Sequence, residues 1–188
     1  MPLIVLEKSD NKRNGLKTKN VYGSLSIFRF FILVLGGKVL MISFENEEEA
    51  IRYILENLRV IAVVGMSRSS YKPSHGVPKY LKEHGYRIIP VNPNTEEILG
   101  EKCYPDLLSV PEKVEVVEVF RPSEEAPGIV DQAIKKKVKV VWLQLGIIND
   151  EAGEKARKAG IIFIQNRCMM IEYQNLHRSY TLSFADEF

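Results

Sequence analysis

The chain has 188 residues, 45% of them hydrophobic, with 26 Lys/Arg, 24 Asp/Glu and 3 His; this supplies apolar material for one α/β core at the usual roughly 100–200 residues per domain. The formal charge of +2 is unevenly spread: seven basic and two acidic residues fall in 1–40, leaving 19 basic against 22 acidic, net −3, in 41–188, which argues against the concentrated basic face that nucleic acid requires. Only Cys103 and Cys168 are present, without paired spacing or a Cys/His cluster, which excludes a disulfide framework and a zinc site and fits a reducing cytoplasm.

Residues 1–40 read as an N-terminal extension. The run VYGSLSIFRFFILVL (21–35), preceded by Lys12, Arg13, Lys17 and Lys19, has the outline of a signal or anchor. It is shorter than the about 20 apolar residues that span a bilayer, and Arg29 interrupts it, so no transmembrane span is expected. A disordered tail, a peripheral anchor and a cleaved signal all fit. So does a start at Met41, since Gly36-Gly37-Lys38-Val39-Leu40 reads as an in-frame ribosome-binding sequence.

From Met41 onward the elements alternate. Asn46 with Glu47, Glu48 and Glu49 caps an amphipathic helix that carries Ala50, Ile51, Ile54, Leu55 and Leu58 inward. A β-branched strand over 60–64 stops at Gly65. The loop Gly65-Met66-Ser67-Arg68-Ser69-Ser70-Tyr71-Lys72-Pro73 follows, and then a helix from Ser74, its expected cap, to Glu83. Pro78 is expected only in a first turn, so that boundary is loose. The second strand, 87–91, ends at Asn92-Pro93-Asn94, and turn signals with a short helix at 106–109 fill the stretch to Pro111. The third strand, 114–120, carries Glu115 and Glu118 among valines, which predicts an edge position. Residues 121–125 form a turn and cap a helix with Ile129, Val130, Ala133 and Ile134 inward, closing on Lys135-Lys136-Lys137. A fourth strand over 138–145, a small-residue helix from Asn149 to Ala159, a fifth strand over 161–164 and a helix over 169–176 complete the domain, 41–178, with 179–188 as a tail.

Such alternation with short connections predicts an α/β fold, a Rossmann-like doubly wound sheet of about five parallel strands with helices on both faces. Ligands in such sheets collect at the carboxyl ends of the strands. Any site is therefore expected in 65–72, 92–94, 120–123, 144–147 and 165–168. The first loop offers hydroxyls (Ser67, Ser69, Ser70) and cations (Arg68, Lys72) near a helix start, a setting for a pyrophosphate held without a metal. It lacks both the glycine fingerprint and the acid after strand two of a nicotinamide-dinucleotide site, and Lys72 lacks the neighbours of a Walker lysine.

Four stretches in order, IAVVGMSRSSYKPSHGVPKYLKEHGYRIIPVNPN (61–94), GEKCYPDLLSVPEKVEVVEVFRP (100–122), VVWLQLGI (140–147) and NRCMMIE (166–172), resemble the small CoA-binding protein family, stand-alone relatives of the CoA-binding domain of the succinyl-CoA synthetase alpha subunit. The resemblance implies CoA or acyl-CoA lying across the strand ends. Gly65, Ser67, Arg68 and Lys72, with Met66 and Ser69 in the same loop, would hold the pyrophosphate side. Val91, Asn92 and Pro93 would face the adenosine, Phe120, Arg121 and Pro122 would line the next stretch, and Gly146, Asn166, Arg167 and Cys168 would approach the pantetheine arm.

Plainer roles stand beside these. Gly65 serves any tight strand-to-helix turn, His75 reads as a cap or surface residue, and His84 and His177 as surface residues. Cys103, Trp142, Met169 and Met170 read as packing. Cys168, between Arg167 and a helix start, has the setting of a reactive thiol but equally that of a packed corner. The expected function is a non-catalytic CoA-binding module acting as sensor, carrier or regulator, with no catalytic residue and no metal. The alternatives are an NAD(P)-dependent oxidoreductase, a thiol-exchange protein acting through Cys168, and a regulatory partner of an acyl-CoA enzyme. A homo-oligomer and a protein partner stay open.

Overall fold

The computed structural model describes residues 44–185, with side chains to 178, and the strand backbones of 4–6, 31–35 and 38–42. Those three strands, β1 (Ile4–Leu6), β2 (Phe31–Leu35) and β3 (Lys38–Ile42), form an antiparallel sheet in the order β1-β3-β2. The rest of the expected extension lies outside the described residues.

The main sheet is built from β4 (Val60–Val64), β5 (Arg87–Val91), β8 (Val116–Val119), β9 (Val140–Leu143) and β10 (Ile162–Ile164), all parallel, in the order β10-β9-β8-β4-β5. Five helices connect and cover it: α1 (Glu47–Asn57), α2 (Pro73–Glu83), α3 (Ala126–Lys136), α4 (Asp150–Lys158) and α5 (Met169–Ala185). Successive strand residues point to opposite faces, and each face has its own core. Ile61, Val63, Ile88, Val116, Val140 and Trp142 pack with Ile51 and Ile54 of α1, Val77 and Leu81 of α2 and Met169 of α5. Ala62, Ile89, Val117, Val141 and Phe163 pack with Val130 and Ala133 of α3 and Ala152 and Ala156 of α4. The expected doubly wound arrangement is therefore observed.

Local chemistry sets the helix ends. Asn46 and Asn149 accept the amides of Glu49 (2.9 Å) and Ala152 (2.8 Å), satisfying orphan donors of α1 and α4. A 3-10 turn, Ser123–Glu125, leads into α3.

Five details differ from the sequence reading. Residues 114–120 hold the centre of the sheet, not an edge, because both acids have partners: Glu115 pairs with Lys139 at the strand's start, and Glu118 bonds Gln144 in the interior. Lys72, not Ser74, occupies the cap position of α2, with Pro73 as first helical residue and no side-chain cap bond. Pro78 lies inside α2. Residues 106–109 form a turn closed by Asp106, which accepts the Ser109 amide (2.8 Å) and hydroxyl (2.9 Å), and no helix. Helix α5 continues through Ala185 into the expected tail.

A hairpin of β6 (Glu97–Ile98) and β7 (Glu101–Lys102) follows β5, turning at Leu99 (φ 56) and Gly100 (φ 74). Two consecutive positive φ values are what a tight hairpin turn requires. Beyond it, Tyr104 pairs with Val91 as a single parallel bridge that extends the sheet edge by one residue.

Candidate functional site

Chain direction reverses between β4 and β8: β4 connects outward to β5, and β8 connects the other way to β9. Loops that leave neighbouring strands in opposite directions open a crevice at their carboxyl ends. Here the two loops nearly touch at their base. A Cβ on Gly65 (φ +88) would lie 2.9 Å from the Phe120 carbonyl oxygen and 2.7 Å from Arg121 Cδ. Glycine is required there both for its conformation and for the close approach.

Above this point the loop 65–72 is folded on itself. The Ser69 amide donates to Ser67 Oγ (3.1 Å) and the Lys72 amide to the Ser69 carbonyl (3.1 Å). The Ser67 amide donates to the Ser74 carbonyl (3.2 Å), and His75 Nδ1 lies 2.8 Å from the Ser67 carbonyl. That use of Ser74 follows from Pro78: proline has no N–H to give the carbonyl four residues back, so this acceptor is open inside the helix and a loop donor takes it. Among the described residues, the amides of Ser70, Tyr71 and Ser74 donate to no protein acceptor. They lie at the positive end of α2 beside Lys72.

A cleft of about 880 Å³ opens from that end and runs between α2 and the start of α5. Pro73, Gly76, Val77, Tyr80 and Glu83 line it; their spacing is one helix face, so the cleft follows α2 for about 15 Å. Ser70, Tyr71, Lys72, Ser74 and Lys79 form its polar part, and Phe120, Leu145, Ile147 and Met170 its apolar part, with Gln144 and Cys168 between the loops. Tyr71 is 97% exposed at the mouth.

Of the sequence-derived positions, Lys72, Phe120 and Cys168 share this cleft. Asn92 and Pro93 lie in a second one, of about 590 Å³, beside the β6–β7 hairpin. Asn166 and Arg167 line a third, of about 480 Å³. Met66 turns away: its side chain is fully buried in the core, and its carbonyl accepts Asn92 Nδ2 (2.8 Å). Asn92 also accepts the Asn94 amide (2.9 Å), so its side chain ties the end of β5 to the first loop. Val91 is buried, whereas Arg68 is exposed. Arg121 and Pro122 are also exposed, with Arg121 bonded to Glu125 (2.7 and 2.9 Å). Gly146 and Asn166 are brought together by a bond from the Gly146 amide to Asn166 Oδ1 (2.9 Å). Arg167 sits among Glu47 (3.3 Å), Glu48 (3.5 Å) and Glu172 (3.2 Å); burial opposes its charge, but Glu47 and Glu172 together outweigh it and raise its already high pKa.

Tyr71, Gln144 and Leu145 fall within the segments expected from the sequence without being singled out there, whereas Ser74, Val77 and Tyr80 lie outside them. The apolar stripe of α2 was legible as periodicity, but not that part of it faces an open cleft. Behind Gln144 lies Glu118, fully buried, with Oε1 at 2.5 Å from Gln144 Nε2 and Oε2 without a hydrogen-bond partner. Burial pushes its carboxyl up to about 8, against the opposing hydrogen bond from Gln144. Burial likewise raises Cys103, which is a core residue. Among the described residues, no cluster of three His, Cys, Asp or Glu is arranged to hold a metal, and no helix is long and apolar enough to cross a membrane.

A family model described as a CoA-binding domain matches residues 59–174, the span from β4 into α5 that lines the first two clefts and all of the third but Glu47. The chain belongs to this CoA-binding domain family. Protein YneT of Bacillus subtilis is 36% identical over 130 residues, which are 69% of this chain and 96% of that protein. An ADP-forming acetate–CoA ligase of Archaeoglobus fulgidus is 31% identical over 161 residues, covering 74% of this chain but 23% of the ligase. A solved protein from Pyrococcus horikoshii OT3 superposes with a TM-score of 0.68 at 48% identity, covering 70% of this chain and 92% of that one. The matched region is thus nearly all of one relative and about a quarter of another.

Proposed function

We propose that the protein binds CoA or an acyl-CoA in the cleft between α2 and α5, without catalysing a reaction, as a sensor, carrier or regulatory module. The observation that carries this reading is the continuity of two chemistries along one cleft: amides and lysines at the α2 end, apolar side chains beyond them. CoA has the same two parts, a phosphorylated nucleotide and a slender, mostly apolar arm ending in a thiol. The volume lies within the range of about 300–1,000 Å³ typical of small-molecule sites.

In this reading Lys72 and the open amides of Ser70, Tyr71 and Ser74 take the pyrophosphate. Gly65 gives the backbone its close approach, and Met66, Ser67 and Ser69 act by shaping the loop, with Arg68 supplying charge at its surface. Val91, Asn92 and Pro93 border the nucleotide side. Phe120, with Arg121 and Pro122 outside it, and Cys168, with Gly146, Asn166 and Arg167 behind it, border the arm. The non-catalytic part of the reading draws on the lining of the cleft, in which, among the described residues, Cys168 is accompanied by no histidine.

Calorimetry and thermal denaturation with CoA, acetyl-CoA, NAD and ATP test the reading. At 100 times its Kd, the preferred ligand should add about 2.7 kcal/mol of stability. CoA or acetyl-CoA is expected to do so, and acetyl-CoA should be recovered intact after incubation. Stabilisation by NAD alone would replace the reading with a dinucleotide site, and consumption of acetyl-CoA would make the protein an enzyme.

A further inference from the structure

The pair Glu118–Gln144 is placed at an evident cost to the fold. Glu118 sits in the central strand with Val63 and Trp142 opposite it in the neighbouring strands. Its Oε2 has no partner, and a buried, unsatisfied polar atom is destabilising. Apolar side chains at both 118 and 144 would pack there without that penalty. What the carboxyl does is hold Gln144, because Gln144 Nε2 donates inward to Glu118 Oε1 at 2.5 Å. Gln144 is itself only 4% exposed, yet it lines the cleft next to Phe120, Leu145 and Cys168.

With its amine directed inward, the side-chain oxygen of Gln144 is the group left for the cleft. Its protein contact is a long one from the Leu145 amide (3.4 Å), which leaves a lone pair available. The apolar part of the cleft therefore contains one oriented acceptor.

We propose that Gln144 Oε1 is a specificity contact for an amide N–H on the arm of the ligand, and that Glu118 is the positioning residue that fixes its orientation. This rests on the CoA reading and deepens it, since the pantetheine arm carries two secondary amides in an otherwise slender chain. It also accounts for a carboxyl in the middle of a valine strand.

Calorimetry with two ligands tests it: CoA, and 3′-phospho-ADP, which is CoA's nucleotide half. Gln144→Leu and Glu118→Leu should each weaken CoA by up to about tenfold, the scale of one hydrogen bond, and leave 3′-phospho-ADP unchanged. The double variant should lose no more than either single one, since both remove the same contact. Glu118→Gln, which keeps an acceptor for the Gln144 side-chain amide, should restore CoA affinity, and the double leucine variant, which leaves no orphaned donor, should melt no lower than the wild type. Equal CoA affinity in wild type and Gln144→Leu would overturn the inference while sparing the CoA reading. Equal losses for both ligands, or additive losses in the double variant, would make the pair merely structural. Wild-type protein that binds neither ligand would overturn the CoA reading itself.

Discussion

At the scale of a single residue, Glu118 shows how burial converts an ordinary acid into a neutral group. Its folded pKa is raised to about 8 from an ordinary value of 4.5, with burial as the dominant cause. Between those two values the native state keeps a proton that the unfolded chain releases, so this group's contribution to stability falls as pH rises, intact below about 4.5 and lost through about 8. The loss amounts to a few kcal/mol at most, on the order expected for a shift of this size. Glu118→Gln retains a partner for Gln144 and has no proton to release. In urea denaturation its stability relative to wild type is expected to be similar at pH 5, to grow up to about pH 8 and to level off beyond it; a difference that stays flat throughout would mean that the carboxyl does not titrate there. The sequence alone could not announce this. A glutamate three places from another in a valine run looks like the mark of an exposed edge, and only the partner across the strand, Gln144, reveals the opposite.

At the scale of elements, Pro78 joins a helix to a loop. The sequence reading confined it to a first turn because a proline inside a helix leaves a carbonyl without its amide; in α2 that carbonyl, Ser74, receives the Ser67 amide instead. The loss within the helix is thus offset by a tie that fixes the start of the loop 65–72. Restoring the helical N–H with Pro78→Ala would set it in competition with Ser67 for the same oxygen. Amide exchange at Ser67 should then accelerate by up to about tenfold, the scale of one net hydrogen bond, while global stability is not reduced, since alanine suits a helix interior better than proline. Unchanged exchange at Ser67 would show that the loop holds its shape by other means. The β6–β7 hairpin was similarly hidden. Strands of two residues carry no periodicity, and Gly100 signalled a turn without signalling the pairing.

Over the whole molecule, the alternation of strands and helices was enough to give a parallel sheet and the end at which its clefts open, but not how the strand-end residues divide. The sequence-derived positions are distributed over three clefts because loop lengths and inter-loop bonds, such as Gly146 to Asn166 and Asn92 to Met66, decide which ends face one another. The opposite end of the sheet has a different task. There Glu115 accepts the amides of Arg59 (2.9 Å) and Val60 (3.3 Å) and the ammonium of Lys139 (2.8 Å), tying the starts of β4, β8 and β9. Burial works against its charge, yet Lys139 and the two amides prevail and lower its pKa, so its stabilisation holds above the ordinary carboxylate range and fades as pH falls through it. Glu115→Ala removes all three bonds and leaves donors behind, and should cost about 2–3 kcal/mol. Because the node is at the amino ends and the clefts at the carboxyl ends, the variant should melt lower but bind CoA with wild-type affinity at a temperature where it is fully folded. A weakened Kd under those conditions would mean that the two ends of the sheet are mechanically coupled, so that strand packing, and not only the loops above it, shapes the cleft.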